Sequence, residues 1–429
     1  MNYNKRSIKG WIFYDCANSV YSLVIATTIF PIYYNDYITK DIESIYFLGF
    51  NFMPKTLYIY SLSLSFLIVV IISPILSGIA DYIGNKKIFM KFFCYLGAIS
   101  CSSMYFLDNN TIWPSIILSM LANIGFWGSI VFYNAFLSEL VPMRYRDIVS
   151  AKGYSMGYLG SSMLLMFNLA MIMKPEWFGI KNATTATQIS FLTVGIWWIG
   201  LAQFSFMSIT EKKIKRKQNH NFLFTNGYRE LIKIYKEIKK YDTLKRYLLA
   251  FLFFNTSVQT VILLASLYGS DELGLDTANL IGIILLIQFI AMAGSYVFAI
   301  VSRKIGNIKT LQLLIVIWTV VCVSVSVLDK NHPDITLHFF AIASCIGLAM
   351  GGIQSLSRST YSKLVPINTK DNAVYFSFYD VTEKISIIIG TFSYGFILSI
   401  TQSMRLSAVI LCVFFVIGFI INLRIKEKL

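Results

Sequence analysis

The stretch "SELVPMRYRD" at residues 138–147 recurs as "SKLVPINTKD" at residues 362–371, an offset of 224 residues. Both copies share Ser, then Leu-Val-Pro, and end in a basic residue followed by Asp. A second pair, "DYIGNKK" (81–87) and "RKIGNIK" (303–309), lies at an offset of 222 residues. Each copy follows an apolar run at the equivalent place in its half of the chain. The repeats therefore predict two similar halves with the same orientation.

The composition is that of a membrane protein. Of 429 residues, 56% are hydrophobic and only 14% are charged, whereas soluble domains carry nearer a quarter of charged residues. We predict an all-α integral membrane protein with twelve transmembrane helices in two pseudo-symmetric six-helix bundles. Apolar windows of about 20 residues place the helices near 11–36, 56–80, 88–107, 112–138, 149–173, 187–209, 247–268, 277–301, 310–328, 335–357, 372–400 and 404–424.

These helices predict three regions: an N-terminal bundle (1–209), a basic linker (210–246) and a C-terminal bundle (247–429). The linker holds twelve Lys or Arg and four acidic residues. Within it, "YRELIKIYKEIKKY" aligns Leu231, Ile234, Tyr235, Ile238 and Tyr241 on one helical face. This pattern favours an amphipathic helix on the cytoplasmic membrane surface beside anionic lipid. A solvated linker is the alternative.

The distribution of basic residues predicts the orientation. If both termini are cytoplasmic, the cytoplasmic segments hold thirty Lys or Arg and the outer loops hold six, with Lys384 inside a helix. This asymmetry follows the positive-inside rule. We therefore expect a multi-pass protein of the cell (inner) membrane, with both termini in the cytoplasm, and we expect it to be a monomer.

Several classes of function are disfavoured. The net charge of +15 comes from short basic clusters between apolar runs, not from a groove that would bind nucleic acid. The six cysteines contain no CxxC pair and the three histidines are scattered, so we expect no metal site and no cofactor. Zinc-protease and P-loop motifs are absent from the sequence, and we expect no enzyme. Two similar membrane bundles are the design of a transporter, and without a P-loop the energy for transport would come from a gradient.

Several stretches resemble the major facilitator superfamily. "GIADYIGNKK" (78–87) is similar to its signature between the second and third helices. "WIFYDCANSVYS" (11–22), "FYNAFLSELVP" (132–142), "FFNTSVQTVI" (253–262) and "GGIQSLSRSTYSKLVP" (351–366) resemble the bacterial branch related to the vacuolar amino-acid effluxer of autophagy. The third stretch departs from the family's Asn-Asp-Gly and reads Asn255, Thr256, Ser257. The resemblance implies efflux or exchange of small solutes, including amino acids.

The resemblance also implies a cytoplasmic gate. The glycine of its signature permits a tight turn, and the acid and bases can form latches. We add Arg358 of "SLSRS", which we expect to lie at the gate with Asp147, Asp371 or Asp81. The gate prediction comprises Asp81, Gly84, Lys86, Lys87, Asp147, Arg358 and Asp371.

The first helix carries a polar stripe. Asp15 and Asn18 fall within about 100° of each other on a helix, together with Ser19 and Ser22. Such a stripe must avoid lipid. Two interpretations are open: Asp15 binds substrate or carries a proton, or it holds a neighbouring helix near the gate.

The eleventh helix carries Asp380, Glu383 and Lys384 on one arc. Asp380 and Lys384 are spaced i,i+4 with the acid first, which favours an ion pair. The triad keeps a net charge of −1, so one carboxyl group is available for substrate or a proton. An ion pair that only locks helix packing is the alternative. The resemblance implies a basic residue at position 384, whereas Glu383 departs from the small residue usual before it.

Uncharged polar residues complete the predicted site. Asn255, Thr256, Gln259 and Thr260 share one side of the seventh helix, and Gln354 lies on the tenth. Amides at such positions bind substrate, or they connect helices.

The sequence therefore predicts a secondary active transporter of a small polar solute, by alternating access and with proton coupling. The substrate class that the resemblance implies is amino acids. A passive facilitator or exchanger of sugars or other metabolites is the alternative within this class. A non-transporting receptor or an embedded enzyme is the alternative from another class.

Overall fold

The computed structural model describes residues 4–47, 49–211, 223–329, 332–366 and 369–425. Within these ranges, twelve helices are long and apolar enough to cross a membrane, as predicted. They are α1 (Lys5–Ile38), α2 (Pro54–Ile83), α3 (Lys86–Ser103), α4 (Ile112–Leu140), α5 (Arg146–Met173), α6 (Ala183–Ser208), α7 (Asp242–Leu267), α8 (Thr277–Ile305), α9 (Asn307–Ser326), α10 (Ile335–Leu364), α11 (Asn372–Thr401) and α12 (Met404–Leu423).

Helix ends differ from the predicted bounds where polar residues extend an apolar run. α1 begins at Lys5 instead of residue 11, because the side chain of Asn4 accepts hydrogen bonds from the backbone N–H of Arg6 (3.0 Å) and Ser7 (3.3 Å). Such an N-cap satisfies donors that the first turn leaves unpaired. α10 continues to Leu364 instead of residue 357 and ends just before Pro366, where a helix cannot continue.

The first helix is not a regular α-helix throughout. Its segment Tyr21–Ile29 has π-helical hydrogen bonding, in which each turn is wider. The hydroxyls of Thr27 and Thr28 both donate to Leu23 O, at 2.9 and 2.7 Å. After α1 the chain forms a two-stranded antiparallel hairpin, β1 (Ile45–Phe47) and β2 (Phe50–Phe52), with Phe47 opposite Phe50.

The chain forms two compact units. One contains Asn2–Phe136 and Leu159–Arg229, and the other contains Leu137–Tyr158 and Glu230–Leu429. The loop between α4 and α5, with the adjoining helix ends, is thus grouped with the C-terminal helices. In that second unit, α8 and α10 approach closely at glycine. A Cβ atom on Gly351 would lie 2.0 Å from Ala291 O, so no larger residue fits there without moving a backbone.

A helix is present in the linker, at Leu223–Lys240 (the linker helix). Its residues Ile234 and Ile238 are buried, and Tyr235 stacks on Phe378 of α11 with ring centroids 6.1 Å apart. Tyr375 Oη donates to Glu237 Oε2 at 3.0 Å. The sequence predicted that the apolar face lies against lipid. In the structure Ile234 and Ile238 are instead covered by protein, and the neighbouring Tyr235 and Glu237 contact α11.

Candidate functional site

The predicted triad forms one buried ion network on α11. Lys384 is fully buried and donates from Nζ to Asp380 Oδ1, and its Nζ lies 3.3 Å from Glu383 Oε2. Asp380 is 1% exposed and the Glu383 side chain 13%. Asp380 Oδ2 accepts no hydrogen bond from the part of the chain that the structure describes. One ammonium group thus faces two carboxylates, and the local charge is −1.

Amides of α7 lie against this network. Gln259 Nε2 donates to Glu383 Oε1 at 3.3 Å, and Asn255 Nδ2 donates to Ser386 Oγ at 2.6 Å. Thr256 and Thr260 behave differently, because their hydroxyls bond to carbonyls of their own helix, Leu252 O and Thr256 O. The predicted polar set therefore divides. The side chains of Asn255 and Gln259 bond to side chains of α11, whereas the hydroxyls of the two threonines bond to backbone carbonyls within α7.

The charges of this network depend on one another. A buried lysine between two acids is stable only while the charges compensate one another. Protonation of either carboxyl group, or the arrival of a ligand's ammonium group, would release Lys384 from one partner. The network has the chemistry for a zwitterion or for proton exchange.

Asp15 of α1 has a partner on α4. Tyr133 Oη donates to Asp15 Oδ2 at 2.6 Å, Trp11 Nε1 donates to Tyr133 O at 2.8 Å, and the Trp11 and Tyr133 rings stack with centroids 4.5 Å apart. Asp15 is 7% exposed. Asn18 is also buried, and its Nδ2 has no hydrogen-bond partner among the described residues. The polar stripe is thus directed away from the exterior, and its acid is bonded to a tyrosine.

Gln354 of α10 bonds to α5. Tyr158 Oη donates to Gln354 Oε1 at 2.6 Å. Three residues earlier on α5, Ser155 Oγ lies 2.6 Å from Ser295 Oγ of α8. Gln354 therefore accepts a short bond from a tyrosine that the sequence analysis did not select.

The predicted gate residue Asp147 lies in a hydrogen-bonded cluster, which we call the Asp147 cluster. It contains Asp147, Lys363 and Asn307. Lys363 Nζ lies 2.6 Å from Asp147 Oδ2 and donates to Asn307 Oδ1 at 2.9 Å, and Asn307 Nδ2 donates to Asp147 Oδ1 at 2.8 Å. The cation bonded to Asp147 is Lys363, which the gate prediction did not include. Arg358 donates to Ser150 Oγ and Ser150 O, both at 3.0 Å. It lies five residues earlier on α10, opposite a different turn of α5.

Arg146, which the sequence analysis did not select, binds three backbone carbonyls. Its Nη2 donates to Ser138 O (2.8 Å), its Nε donates to Val141 O (3.1 Å), and its Nη1 donates to Ser362 O. Ser138 and Ser362 are the first residues of the two repeated motifs. Arg146 is 5% exposed. Its guanidinium group therefore closes the end of α4 and connects it to α10.

The loop between α2 and α3 is held by an ion pair of its own residues and by hydrogen bonds to residues that follow α6. Gly84 ends α2 with φ +72°, a conformation that favours glycine. Lys86 Nζ lies 3.2 Å from Asp81 Oδ1, the backbone N–H of Lys86 donates to Glu211 Oε1 at 2.6 Å, and Lys87 Nζ donates to Ile209 O at 2.9 Å. The signature residues thus bind one another and the segment after α6.

The last predicted gate residue, Asp371, lies just before α11. Lys233 Nζ of the linker helix is 3.6 Å from Asp371 Oδ2. The next residue, Asn372, donates from Nδ2 to Glu139 Oε1 at 3.2 Å. The beginning of α11 is therefore held both by the linker helix and by the end of α4.

Comparison with known proteins identifies the family. Residues 3–428 match the family model described as "Vacuole effluxer Atg22 like". The chain belongs to this family. A relative from Bacillus subtilis (strain 168), the uncharacterized MFS-type transporter YxiO, is 30% identical over 422 residues, covering 98% of this chain and 94% of the relative. Autophagy-related protein 22 of Kluyveromyces lactis is 24% identical over 462 residues, which cover 96% of this chain and 92% of the relative.

Solved structures of low sequence identity share the fold. The proton:xylose symporter XylE matches with a TM-score of 0.72 at 13% identity, over 99% of this chain and 96% of XylE. FucP in its outward conformation matches with a TM-score of 0.66 at 13% identity, over 99% of this chain and 98% of FucP. This Atg22-like protein is a multi-pass membrane protein with the major facilitator fold, and the predicted fold class and family are confirmed. Its family consists of transporters, not enzymes.

The sequence contained signals for several residues that we missed. Lys363 and Glu139 occupy the same position in the two copies of the "LVP" motif, and Asn307 lies in the second "IGN" motif. Comparison of the copies would have drawn attention to all three. Tyr133 lies in the quoted stretch "FYNAFLSELVP", whereas Tyr158 carries no such signal, because aromatic residues are common throughout the helices of this chain.

Proposed function

We propose that this Atg22-like protein is a secondary active transporter of small polar solutes, with amino acids as its substrate class and protons as its coupling ion. Transport would proceed by alternating access of two bundles, residues 1–209 and 247–429, joined by the linker. The observation that carries the proposal is the buried network of Asp380, Glu383 and Lys384, with Gln259 beside it.

The network fits a zwitterionic solute. An α-amino acid presents one ammonium and one carboxylate group, and the network offers carboxylates together with an ammonium group. Because Lys384 is already compensated, a substrate carboxylate must compete with Asp380 or Glu383 for it. A substrate that brings its own ammonium group keeps the buried charge balanced during this exchange. A sugar cannot make this exchange, since it has no charged groups.

Glu383 is the residue that we propose as the proton carrier. It is the more exposed of the two carboxylates, and it is the one with an amide partner, Gln259. Its protonation would leave Asp380 and Lys384 as a neutral pair. Gln259 can serve both forms of the carboxyl group, because its amide both donates and accepts hydrogen bonds.

The Asp147 cluster and Arg146 are proposed as a gate, together with Asp81, Gly84, Lys86, Lys87, Arg358 and Asp371. Alternating access requires that one set of contacts break while another forms. The bonds from Lys363 and Arg146 join parts of the chain 216 residues apart in sequence, and they would break when the bundles rock. Asp15, bonded to Tyr133, would hold α1 against α4.

We further propose that both termini are cytoplasmic, in the cell membrane, and that the protein acts as a monomer. The excess of basic residues in the loops on the side of the termini supports this orientation.

The test is transport by the purified protein in liposomes. Labelled amino acids, a dipeptide and a sugar are offered with and without a pH gradient, and Lys384→Ala serves as the matched inactive variant. Amino-acid movement that responds to the pH gradient supports the proposal. Movement without any response would make the protein a passive facilitator or exchanger. Sugar transport in place of amino-acid transport would overturn the substrate class. If no solute moved while a partner protein bound, the protein would be a receptor.

A further inference from the structure

The β1–β2 hairpin between α1 and α2 exposes aromatic side chains to an unusual degree. Phe50 is 67% exposed, Phe47 39% and Tyr46 72%. In the ladder, Ile45 pairs with Phe52 and Phe47 with Phe50, while Tyr46 pairs with Asn51. Side chains alternate between the two faces of a strand, so the phenylalanines share one face with Ile45. Tyr46 and Asn51 lie on the opposite face.

The phenylalanine face rests on the first two turns of two membrane-spanning helices. The Phe47 ring lies 5.1 Å from that of Trp113 in α4, and the Phe52 ring lies 6.0 Å from that of Tyr60 in α2. Phe50 adjoins Phe52, with ring centroids 6.3 Å apart. The Phe47–Trp113 pair and the Phe50–Phe52–Tyr60 group lie next to each other on this face, because Phe47 and Phe50 are partners in the ladder.

This patch continues surfaces that face lipid. On α2, Tyr60 heads an exposed stripe with Leu64, Leu67 and Ile71, which are spaced four, seven and eleven residues further along one helical face. On α4, exposed Trp113 is followed one turn later by exposed Ile117. In helices that cross a membrane, such apolar stripes contact acyl chains, and Trp and Tyr at their ends lie at the level of the headgroups.

We propose that the β1–β2 hairpin is a membrane-interface anchor. Its phenylalanine face contacts lipid at the boundary between headgroups and acyl chains, and the face with Tyr46 and Asn51 is in water. The occupant is the bilayer and not a second copy of the chain, because the aromatic face is continuous with the lipid-facing stripes. The strands have only three residues each, too few for stable pairing along an edge. This inference does not depend on the proposed substrate or coupling.

Photo-crosslinking tests the anchor in the full chain. Benzoylphenylalanine at position 50 keeps an aromatic ring and so preserves the hairpin, and the same residue at position 46 is the matched control on the opposite face. In liposomes, illumination should give lipid adducts when the photo-reactive residue is at position 50. It should give none when that residue is at position 46. Crosslinks between two chains at position 50 would show a protein partner instead. Equal adducts at both positions, or none at position 50, would overturn the proposal.

Spin labels give a second measurement. Cysteines at Phe50 and Asn51, in a Cys345→Ser background because Cys345 is the exposed native cysteine, place labels on opposite faces of β2. The label at position 50 should collide more with oxygen than with a water-soluble nickel complex, and the label at position 51 should show the reverse. If the nickel complex reached both labels equally, the hairpin would lie in water and the proposal would be wrong.

Discussion

Lys363 Nζ lies 2.6 Å from Asp147 Oδ2, and the two residues come from different copies of one repeated motif. In the first copy, the position of Lys363 is occupied by Glu139, which accepts a hydrogen bond from Asn372, the residue directly after the second copy. Each copy therefore supplies a side chain to the end of the other. This exchange of partners accounts for the different residue, Lys or Glu, at an otherwise repeated position.

We expect the Lys363–Asp147 pair to stabilise the protein. Lys363→Ala or Asp147→Ala should each lower the free energy of unfolding by about 3 kcal/mol, because each leaves a largely buried charge without its partner. The double variant should be less destabilised than the sum, with a coupling of about 1–3 kcal/mol. The measurement is a double-mutant cycle: denaturation in mixed micelles of the unchanged protein, the two single variants and the double variant.

The control for that cycle is the exposed pair of Lys245 and Asp242, 3.1 Å apart. Its removal should leave stability nearly unchanged, since solvent screens such pairs. Additive effects of Lys363→Ala and Asp147→Ala would contradict a direct interaction in solution.

Arg146→Lys should destabilise the protein although it keeps the charge. A lysine cannot replace the planar fork that donates to Ser138 O, Val141 O and Ser362 O, so buried carbonyls lose their donors at a cost of about 1–3 kcal/mol. Thermal unfolding in detergent measures the effect. Arg144→Lys, at the exposed arginine two residues earlier, is the control. Equal melting temperatures for the two variants would show that the fork is not needed.

Lys384→Ala should abolish transport. The substitution leaves Asp380 and Glu383 together without their ammonium group, so the network can neither bind a carboxylate nor balance its charge. Expression and monodispersity should be retained if the two acids take up protons, and size-exclusion chromatography checks this. Unchanged uptake or efflux by a well-folded Lys384→Ala variant would remove the network from the transport site.

Glu383→Gln should separate coupling from transport. The amide resembles the protonated carboxyl group, so the variant is held permanently in the neutral form. Counterflow exchange at constant pH should persist, whereas a pH gradient should no longer drive accumulation. Transport is measured at both pH conditions in the same liposomes, and Glu237→Gln, outside the network, is the control. If accumulation still followed the gradient, another group would carry the proton.

Asp15→Asn distinguishes the two interpretations of Asp15. The amide oxygen can still accept the hydrogen bond from Tyr133, so a structural role predicts normal folding and transport. Asp15→Ala removes the acceptor of a buried hydrogen bond, which should lower stability by about 1–3 kcal/mol. Loss of transport in Asp15→Asn with unchanged stability would instead give the charge itself a function.

Much of the architecture could be predicted because it depends on local patterns. Apolar runs long enough to span a bilayer, interrupted by basic segments, located twelve helices to within a few residues of most observed ends. The i,i+4 spacing of Asp380 and Lys384 predicted their ion pair, since one helix determines which side chains are neighbours. The linker helix was also visible, from the periodicity of Ile234 and Ile238.

What covers an amphipathic face is a different question. Periodicity shows that Ile234 and Ile238 avoid water, and lipid and protein satisfy that requirement equally well. The contacts of Glu237 with Tyr375, and of Tyr235 with Phe378, join segments about 140 residues apart. No property of the linker alone indicates which surface it meets.

The sequence by itself thus determined the class of fold, the number of helices, the internal repeat and the local ion pair of α11, since each depends on residues within one helix or on self-similarity. Only the tertiary structure decided that Asp147 binds Lys363, that Arg146 joins Ser138 to Ser362, and that Asp15 bonds to Tyr133. The physical reason is that a buried charged or polar side chain needs a partner, and its presence in the sequence does not indicate which one. Which partner it finds depends on how distant helices are brought together, and several candidates of suitable chemistry are present in the chain.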